Sequence, residues 1–248
     1  MSGRRGIGRF APSPTGPLHF GSLVAALGSY IFARRAGGQW LVRMEDLDTP
    51  RVVRGAAEGI LETLRRYGLH WNGQVVYQSR RIPFYERALE RLKEKGLVYD
   101  CGCSRAESES CACRDGLPAG RVSRAVRFRM PEEIIAFDDL LKGRCELGSD
   151  DFIVKRADGI FAYQLAVVVD DADQGVTQVV RGEDLLDSTP RQIALQRALG
   201  LPTPEYGHLP LALNPDGTKI SKREGAVPLD PNRVEETLEK AYQILGFR

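Results

Sequence analysis

No stretch of about eighteen consecutive apolar residues, the length that spans a bilayer, occurs in the 248-residue chain. The opening MSGRRGIGRF is basic but lacks the apolar core of a secretory signal. Both absences predict a soluble cytoplasmic protein with no membrane partner. Charge of neither sign dominates: 35 Lys and Arg stand against 33 Asp and Glu, and a net charge of +2 is too small to demand a nucleic-acid partner. There is no internal repeat and no low-complexity linker. Cysteine is scarce, and four of the five residues fall within thirteen positions, as Cys101, Cys103, Cys111 and Cys113. In a cytoplasmic protein such crowding favours a metal over disulfides. Cys145 stands apart and reads as a small buried hydrophobe.

Hydrophobic residues make up 42% and charged residues 27% of the chain, an ordinary globular composition. Basic residues cluster locally, as in Arg34 and Arg35, Arg65 and Arg66, Arg80 and Arg81, and Arg121 to Arg129. Each pair alone suits a solvated face, and their number is what raises an RNA partner.

Residues 7–11 read as a short strand broken by Pro12, Pro14, Gly16 and Pro17. Leu23, Val24, Leu27, Tyr30 and Ile31 then recur at helical spacing until Gly37 and Gly38 stop the helix. Residues 39–45 alternate like a strand, and helices are predicted over 54–67 and 83–95. This alternation is the rhythm of an α/β domain with a parallel sheet. Residues 100–120 break it and read as an insertion. Strands are predicted at 125–129, 152–155, 161–169 and 178–181, with helices at 190–199 and 234–245.

The first constellation with chemical content is Arg9-Phe10-Ala11-Pro12-Ser13-Pro14-Thr15-Gly16-Pro17-Leu18-His19-Phe20-Gly21. A strand gives way to a Pro/Gly turn, and His19 and Gly21 sit near the first turn of a helix. Free N–H groups and a positive dipole at that end suit a nucleotide phosphate. His19 can donate to a phosphoryl oxygen, and Gly21 lets a ribose or base approach the backbone. Alone, the pattern also suits a structural turn with a capping His. The second is Asn214-Pro215-Asp216-Gly217-Thr218-Lys219-Ile220-Ser221-Lys222-Arg223, a glycine-hinged cationic loop able to close over a triphosphate, though alone it suits an ordinary charged surface loop better.

Together the two segments resemble the HIGH and KMSKS signatures of class I aminoacyl-tRNA synthetases, in the glutamate and glutamine branch. DDFIVKRADGIFAYQLAVVVDD at 150–171 and VVRGEDLLDSTPRQ at 179–192 resemble the second-half motifs of glutamyl-tRNA synthetases, in register from about Ile7 to Asp230. The resemblance implies a Rossmann-like catalytic core with a small zinc-binding insertion and a mostly helical C-terminal portion. The expected division is residues 1–99 and 121–200 as halves of the core, 100–120 as the insertion, and 201–248 as the portion carrying the cationic loop. It also implies ATP with Mg²⁺, His19 at the α-phosphate, and Lys222 with Lys219 at the departing pyrophosphate. His19, Gly21 and Lys222 are the expected ATP contacts. Arg9, Ser13, Glu45, Tyr163 and Arg181 match glutamate-contacting positions of the family. Arginine forks suit two carboxylates and Glu45 suits an ammonium group; which arginine meets which carboxylate stays open.

LHFGS at 18–22 and the cysteine cluster are similar to a family of shorter paralogues, the glutamyl-queuosine tRNA(Asp) synthetases. Those make glutamyl-adenylate without tRNA and esterify glutamate onto queuosine in the anticodon of tRNA(Asp). The chain ends about 25 residues after Arg223, so an anticodon-reading helical region is expected to be missing, and a monomer is expected. Two other readings remain: a truncated glutamyl-tRNA synthetase charging a tRNA 3′ end, or a non-catalytic RNA-binding paralogue. Cys-x-Cys-x7-Cys-x-Cys offers four soft ligands for a closed, structural tetrahedral zinc. Many family members show Cys-x-Cys followed by a Tyr and a Cys; Cys111-Ala112-Cys113 departs from that, so Cys111 as third ligand rests on spacing. The other possibility is a set of free thiols on a loop.

Overall fold

The chain begins with β1 (Ile7–Phe10), which pairs in parallel with β2 (Gln39–Met44) through the crossover helix α1 (Phe20–Arg35). β2 pairs in parallel with the short β3 (Val76–Tyr77). This is a computed structural model, and it describes residues 6–35, 37–104, 106–107, 111–131, 133–212 and 228–247.

α1 ends as the sequence predicts. Gly37 adopts φ 62° and donates to the carbonyl of Arg34 at 2.9 Å, while Gly38 donates to Ala33 at 3.0 Å, a glycine C-terminal cap. Its buried face carries Leu23, Val24, Ala26 and Leu27. α2 (Ala56–Arg66) and α3 (Ile82–Glu94) follow, each burying one stripe: Ile60 and Leu64 in α2, Tyr85, Leu89 and Leu92 in α3.

The second half adds a four-stranded sheet in the order β7 (Gly143–Leu147), β6 (Ile135–Asp139), β10 (Glu205–Leu209), β9 (Gln178–Gly182). Only the β6–β7 pair is antiparallel. β9 lies beside β1: Thr177 N donates to Ile7 O at 2.9 Å, and Ile7 N to Thr177 Oγ1 at 2.8 Å. The two sheets therefore meet edge to edge, with the carboxyl ends of β1 and β9 side by side. In open α/β sheets that switch point is where ligands sit. Helices α4 (Tyr163–Asp173) and α5 (Thr189–Leu199) pack with α3 on the second core, and α6 (Val234–Ile244) packs on α1. A third, antiparallel sheet of β4 (Val98–Cys101), β5 (Ala125–Phe128) and β8 (Phe152–Lys155) flanks the cysteine-rich insertion. Among the described residues no helix is long and apolar enough to cross a membrane.

The sequence reading departs from this in identifiable places. Residues 161–169, predicted as a strand, belong mostly to α4. Leu165 to Asp171 are all buried, so the run shows no amphipathic period, and a β-branched apolar run of this kind cannot be told from a strand by pattern. β3, β4, β6, β7 and β10 have no counterpart in the sequence reading; β10 adds a strand to the portion after Leu201. Cys145 is half-buried in β7 rather than buried. Lys219 and Lys222 lie outside the described residues.

Gly38 packs where no side chain fits: a Cβ there would lie 1.8 Å from Gly6 O, the carbonyl that accepts from Gln39 N. Gly38→Ala must shift backbone at the start of β1 or β2. The expected loss of stability is about 1–3 kcal/mol, read as a lower midpoint in urea unfolding; a wild-type midpoint contradicts the packing.

Candidate active site

The carboxyl ends of β1, β2 and β9 and the N-terminus of α1 enclose a cavity of about 690 Å³. Arg9, Ser13, His19, Gly21, Glu45, Tyr163 and Arg181 all line it. The expected glutamate and nucleotide residues thus share one cavity, apart from the lysines of the cationic loop.

Beneath the cavity lies a network of buried charge. Arg9, 4% exposed, donates from Nε to Asp171 at 3.2 and 3.3 Å. Arg43, fully buried on β2, donates to Asp171 at 2.8 Å and to Gln174 Oε1 at 2.7 Å. Asp170 accepts from Gln78 at 2.8 Å, Arg81 at 2.6 Å and Tyr85 at 2.8 Å. Burial alone would raise the Asp171 carboxyl, but Arg9 and Arg43 outweigh it and hold it below the usual carboxylate range. Arg9 therefore reaches the cavity already paired with a carboxylate.

Glu45 follows the last residue of β2. Its backbone N–H donates to Pro12 O at 2.9 Å, which fixes the strand end against the turn after β1. Its Oε1 is buried and accepts no hydrogen bond among the described residues; Arg43 Nη2 is 3.7 Å away. Burial pushes this carboxyl up, Arg43 and Arg9 pull it down, and the result is about 7. An anionic oxygen without a donor is a poor resting state and a good partner for a ligand cation.

Arg181, 5% exposed, is held differently. Its Nη1 donates to Gln192 Oε1 at 2.8 Å and to Tyr163 Oη at 3.4 Å, and its Nη2 to Thr189 Oγ1 at 2.9 Å and Leu185 O at 3.2 Å. Its Nε donates to His208 Nε2 at 3.2 Å. Among the described residues no carboxylate pairs with Arg181. Burial raises the Tyr163 phenol, which stays protonated.

His19 immediately precedes α1, and its carbonyl accepts from Leu23 N at 3.0 Å. Its ring nitrogens face Ser22, with Nε2 2.9 Å from the Ser22 hydroxyl. Gly21 lies in the first turn beside it. At the cavity rim, Arg156 donates to Asp48 at 3.2 Å and to Asp158 at 2.6 Å.

In the insertion, the sulfurs of Cys101, Cys103, Cys111 and Cys113 all lie within 4.8 Å of one another. Separations of 3.5, 3.6 and 3.7 Å recur among them. A disulfide needs about 2.05 Å, whereas a tetrahedral ion with Zn–S bonds of about 2.3 Å spaces its sulfurs roughly 3.8 Å apart. The donor set therefore fits one soft tetrahedral metal. Asp151 ties the insertion to the third sheet, accepting from Arg114 at 2.6 Å, Tyr99 at 3.0 Å and Met130 N at 2.8 Å.

Sequence reasoning missed Arg43, Asp170, Asp171, Asp139, His208, Thr189 and Gln192. The Asp170-Asp171 doublet closing an apolar run was the visible signal, hidden by reading that run as a strand. His208 sits in the short strand Glu205-Tyr206-Gly207-His208-Leu209, and nothing in its neighbours marks it.

A family model described as tRNA synthetases class I (E and Q), catalytic domain, matches residues 7–115 and 112–244. The chain belongs to this family. It is a class I synthetase of the glutamate and glutamine branch, a family of ligases. The glutamyl-Q tRNA(Asp) synthetase of Dechloromonas aromatica is 56% identical over 96% of this chain and 85% of that protein. That of Geobacter sulfurreducens is 57% identical over 92% of this chain and 78% of that protein. The crystal structure of a glutamate tRNA ligase from Elizabethkingia meningosepticum, in complex with its amino acid, superposes with a TM-score of 0.79 at 31% identity. The match covers 90% of this synthetase chain and 53% of that one, so the chain spans about half the length of the solved ligase.

The Glu45 environment has a measurable consequence. Folded, its carboxyl keeps a proton up to about pH 7, whereas in the unfolded chain it releases it near 4.5. Without ligand, this group's contribution to stability is therefore present below about 4.5 and declines as pH rises through 7. Glu45→Gln should match wild type in thermal midpoint near pH 4.5 and exceed it at pH 8. A difference that stays constant with pH contradicts the assignment.

Proposed function

We propose that this synthetase activates L-glutamate with ATP, without needing tRNA, and transfers the glutamyl group to queuosine in the anticodon of tRNA(Asp). The observation that carries the reading is the buried Glu45 Oε1, which accepts no hydrogen bond among the described residues, set beside Arg9 and Arg181 in one cavity. A dicarboxylic amino acid answers all three: its ammonium meets Glu45, and its carboxylates meet the arginines, with Ser13 and Tyr163 adding hydroxyls.

In that pose an α-carboxylate oxygen attacks the α-phosphorus of ATP, the bond to the β-phosphate oxygen breaks, and pyrophosphate leaves. His19 and the N-terminus of α1 line the cavity in which charge develops on the phosphoryl oxygens, and Gly21 admits the nucleotide to the backbone. By resemblance, Lys222 with Lys219 holds the pyrophosphate. Mg²⁺ bound with ATP would offset phosphate charge. Catalysis is placement and electrostatics, with no covalent enzyme intermediate. A hydroxyl of queuosine's cyclopentenediol then attacks the acyl carbon and AMP departs. Identity of 56–57% to proteins named glutamyl-Q tRNA(Asp) synthetase, against 31% to the glutamate tRNA ligase, favours queuosine over a tRNA 3′ end.

Residues 1–99 and 121–200 serve as the halves of the core, 100–120 as a zinc-bearing insertion, and 201–248 as the portion that brings in the cationic loop. Cys101, Cys103, Cys111 and Cys113 hold one structural zinc with no position left for substrate. The protein acts as a cytoplasmic monomer.

Glutamate-dependent ATP–pyrophosphate exchange in the absence of RNA tests the reading. Exchange is the expected result. Exchange that appears only with tRNA points to a glutamyl-tRNA synthetase, and none in either case to a non-catalytic RNA-binding paralogue. His19→Ala and Lys222→Ala should each slow exchange by about 100-fold with an unchanged far-ultraviolet circular dichroism spectrum. Metal analysis should find one zinc per chain, lost in Cys111→Ser; full metal content in that variant would remove Cys111 from the ligand set.

A further inference from the structure

We propose that His208 and Asp139 are positioning residues that keep Arg181 available for a substrate carboxylate, by locking His208 in the one tautomer that can accept from the guanidinium.

The geometry leaves little choice. His208 and Asp139 are both buried, at 1% and 5% exposure, on the adjacent strands β10 and β6. His208 Nδ1 lies 2.5 Å from Asp139 Oδ2, and Asp139 Oδ1 accepts the backbone N–H groups of His208, Leu141 and Lys142 at 3.2, 3.0 and 3.0 Å. A carboxylate so fixed can only accept, so the ring proton sits on Nδ1. Nε2 is then a lone pair. Two donors converge on it, Arg181 Nε at 3.2 Å and the Thr189 hydroxyl at 3.2 Å. Thr189 in turn accepts from Arg181 Nη2 at 2.9 Å. Burial also lowers the imidazole's proton affinity, against the pull of Asp139, so the ring stays neutral.

The arrangement solves a particular problem. A guanidinium 5% exposed needs acceptors, yet a carboxylate in direct contact would cancel the charge that the substrate requires. Arg9 is held differently, against Asp171, a single carboxylate that it shares with Arg43 and that therefore leaves the pair of guanidinium groups with surplus charge. At Arg181 every described partner is neutral: imidazole, amide, two hydroxyls and a carbonyl. Among the described residues the one carboxylate in this chain of contacts, Asp139, is set back behind the imidazole ring. Its charge fixes the ring and does not occupy the fork.

The inference rests on the reading of the cavity as a glutamate site. Its test is the KM for glutamate and for ATP in pyrophosphate exchange, in Asp139→Asn, His208→Leu and His208→Gln. An Asn amide can donate to Nδ1, which drives the proton to Nε2 and sets it against Arg181 Nε–H. Asp139→Asn and His208→Leu should raise the glutamate KM about tenfold or more while leaving that for ATP within about twofold. His208→Gln keeps an acceptor near the Nε2 position and should stay within about threefold of wild type. Variants that fold and keep the wild-type glutamate KM, or that shift both KM values equally, overturn the proposal. Should the two disruptive variants fail to fold, the ring ¹⁵N shifts of wild-type His208 decide: an unprotonated Nε2 supports it, and a protonated Nε2 sinks it. Wild-type protein that shows no glutamate-dependent exchange, with or without tRNA, is a separate outcome and removes the glutamate reading itself along with this inference.

Discussion

Two arginines buried side by side must find counter-charge, and the pair Asp170-Asp171 on α4 supplies it. Arg9 comes from β1 and Arg43 from β2, so one carboxylate, Asp171, ties both strands of the first half to a helix of the second. Asp170 extends the tie to Gln78, Arg81 and Tyr85. Removing one member of such a network costs about 3–5 kcal/mol, because it strands a buried charge. The seam between the halves is therefore held by electrostatics as well as by the Ile7–Thr177 hydrogen bonds. The cavity exists because the strands are pinned there with their carboxyl ends open.

Around the cavity the charges are kept in different states. Among the described residues, Arg9 shares one carboxylate with Arg43, Arg181 is held by neutral groups, and one oxygen of Glu45 accepts no hydrogen bond. A cavity lined in this way favours a ligand of matching charge. That is a form of preorganisation: the polar groups are fixed before binding, so ordering them costs little at the moment of binding.

Much of the fold was legible in the sequence because local signals agreed with it. The Pro/Gly turn after β1, the helical spacing of Leu23 to Ile31 and the Gly37-Gly38 stop all correspond to observed elements. Arg9, Glu45 and Arg181 are marked by the resemblance to the family's glutamate-contacting positions, supported by their place at strand ends. What was hidden was tertiary. α4 is buried on every side and so carries no period, and its β-branched run mimics a strand. The short strand β10 owes its pairing to β6 and β9, both distant in sequence, whereas β6 and β7 form a local hairpin that carries no strong turn signal. His208 and Asp139 acquire meaning only across a register that brings positions 69 residues apart together.

The seam also sets a schedule for synthesis. Arg43 and Asp171 are separated by 128 residues, and at about 5–20 residues per second a ribosome takes roughly 6–26 s to make the interval. Throughout that time the first half is exposed with two arginines awaiting their carboxylates and an edge of β1 without its neighbour. Contacts this distant in sequence form late and slowly. The nascent chain thus has every residue of β1 and β2 in hand long before it has a pocket, and the interval is the one in which a chaperone would find an open strand edge to cover.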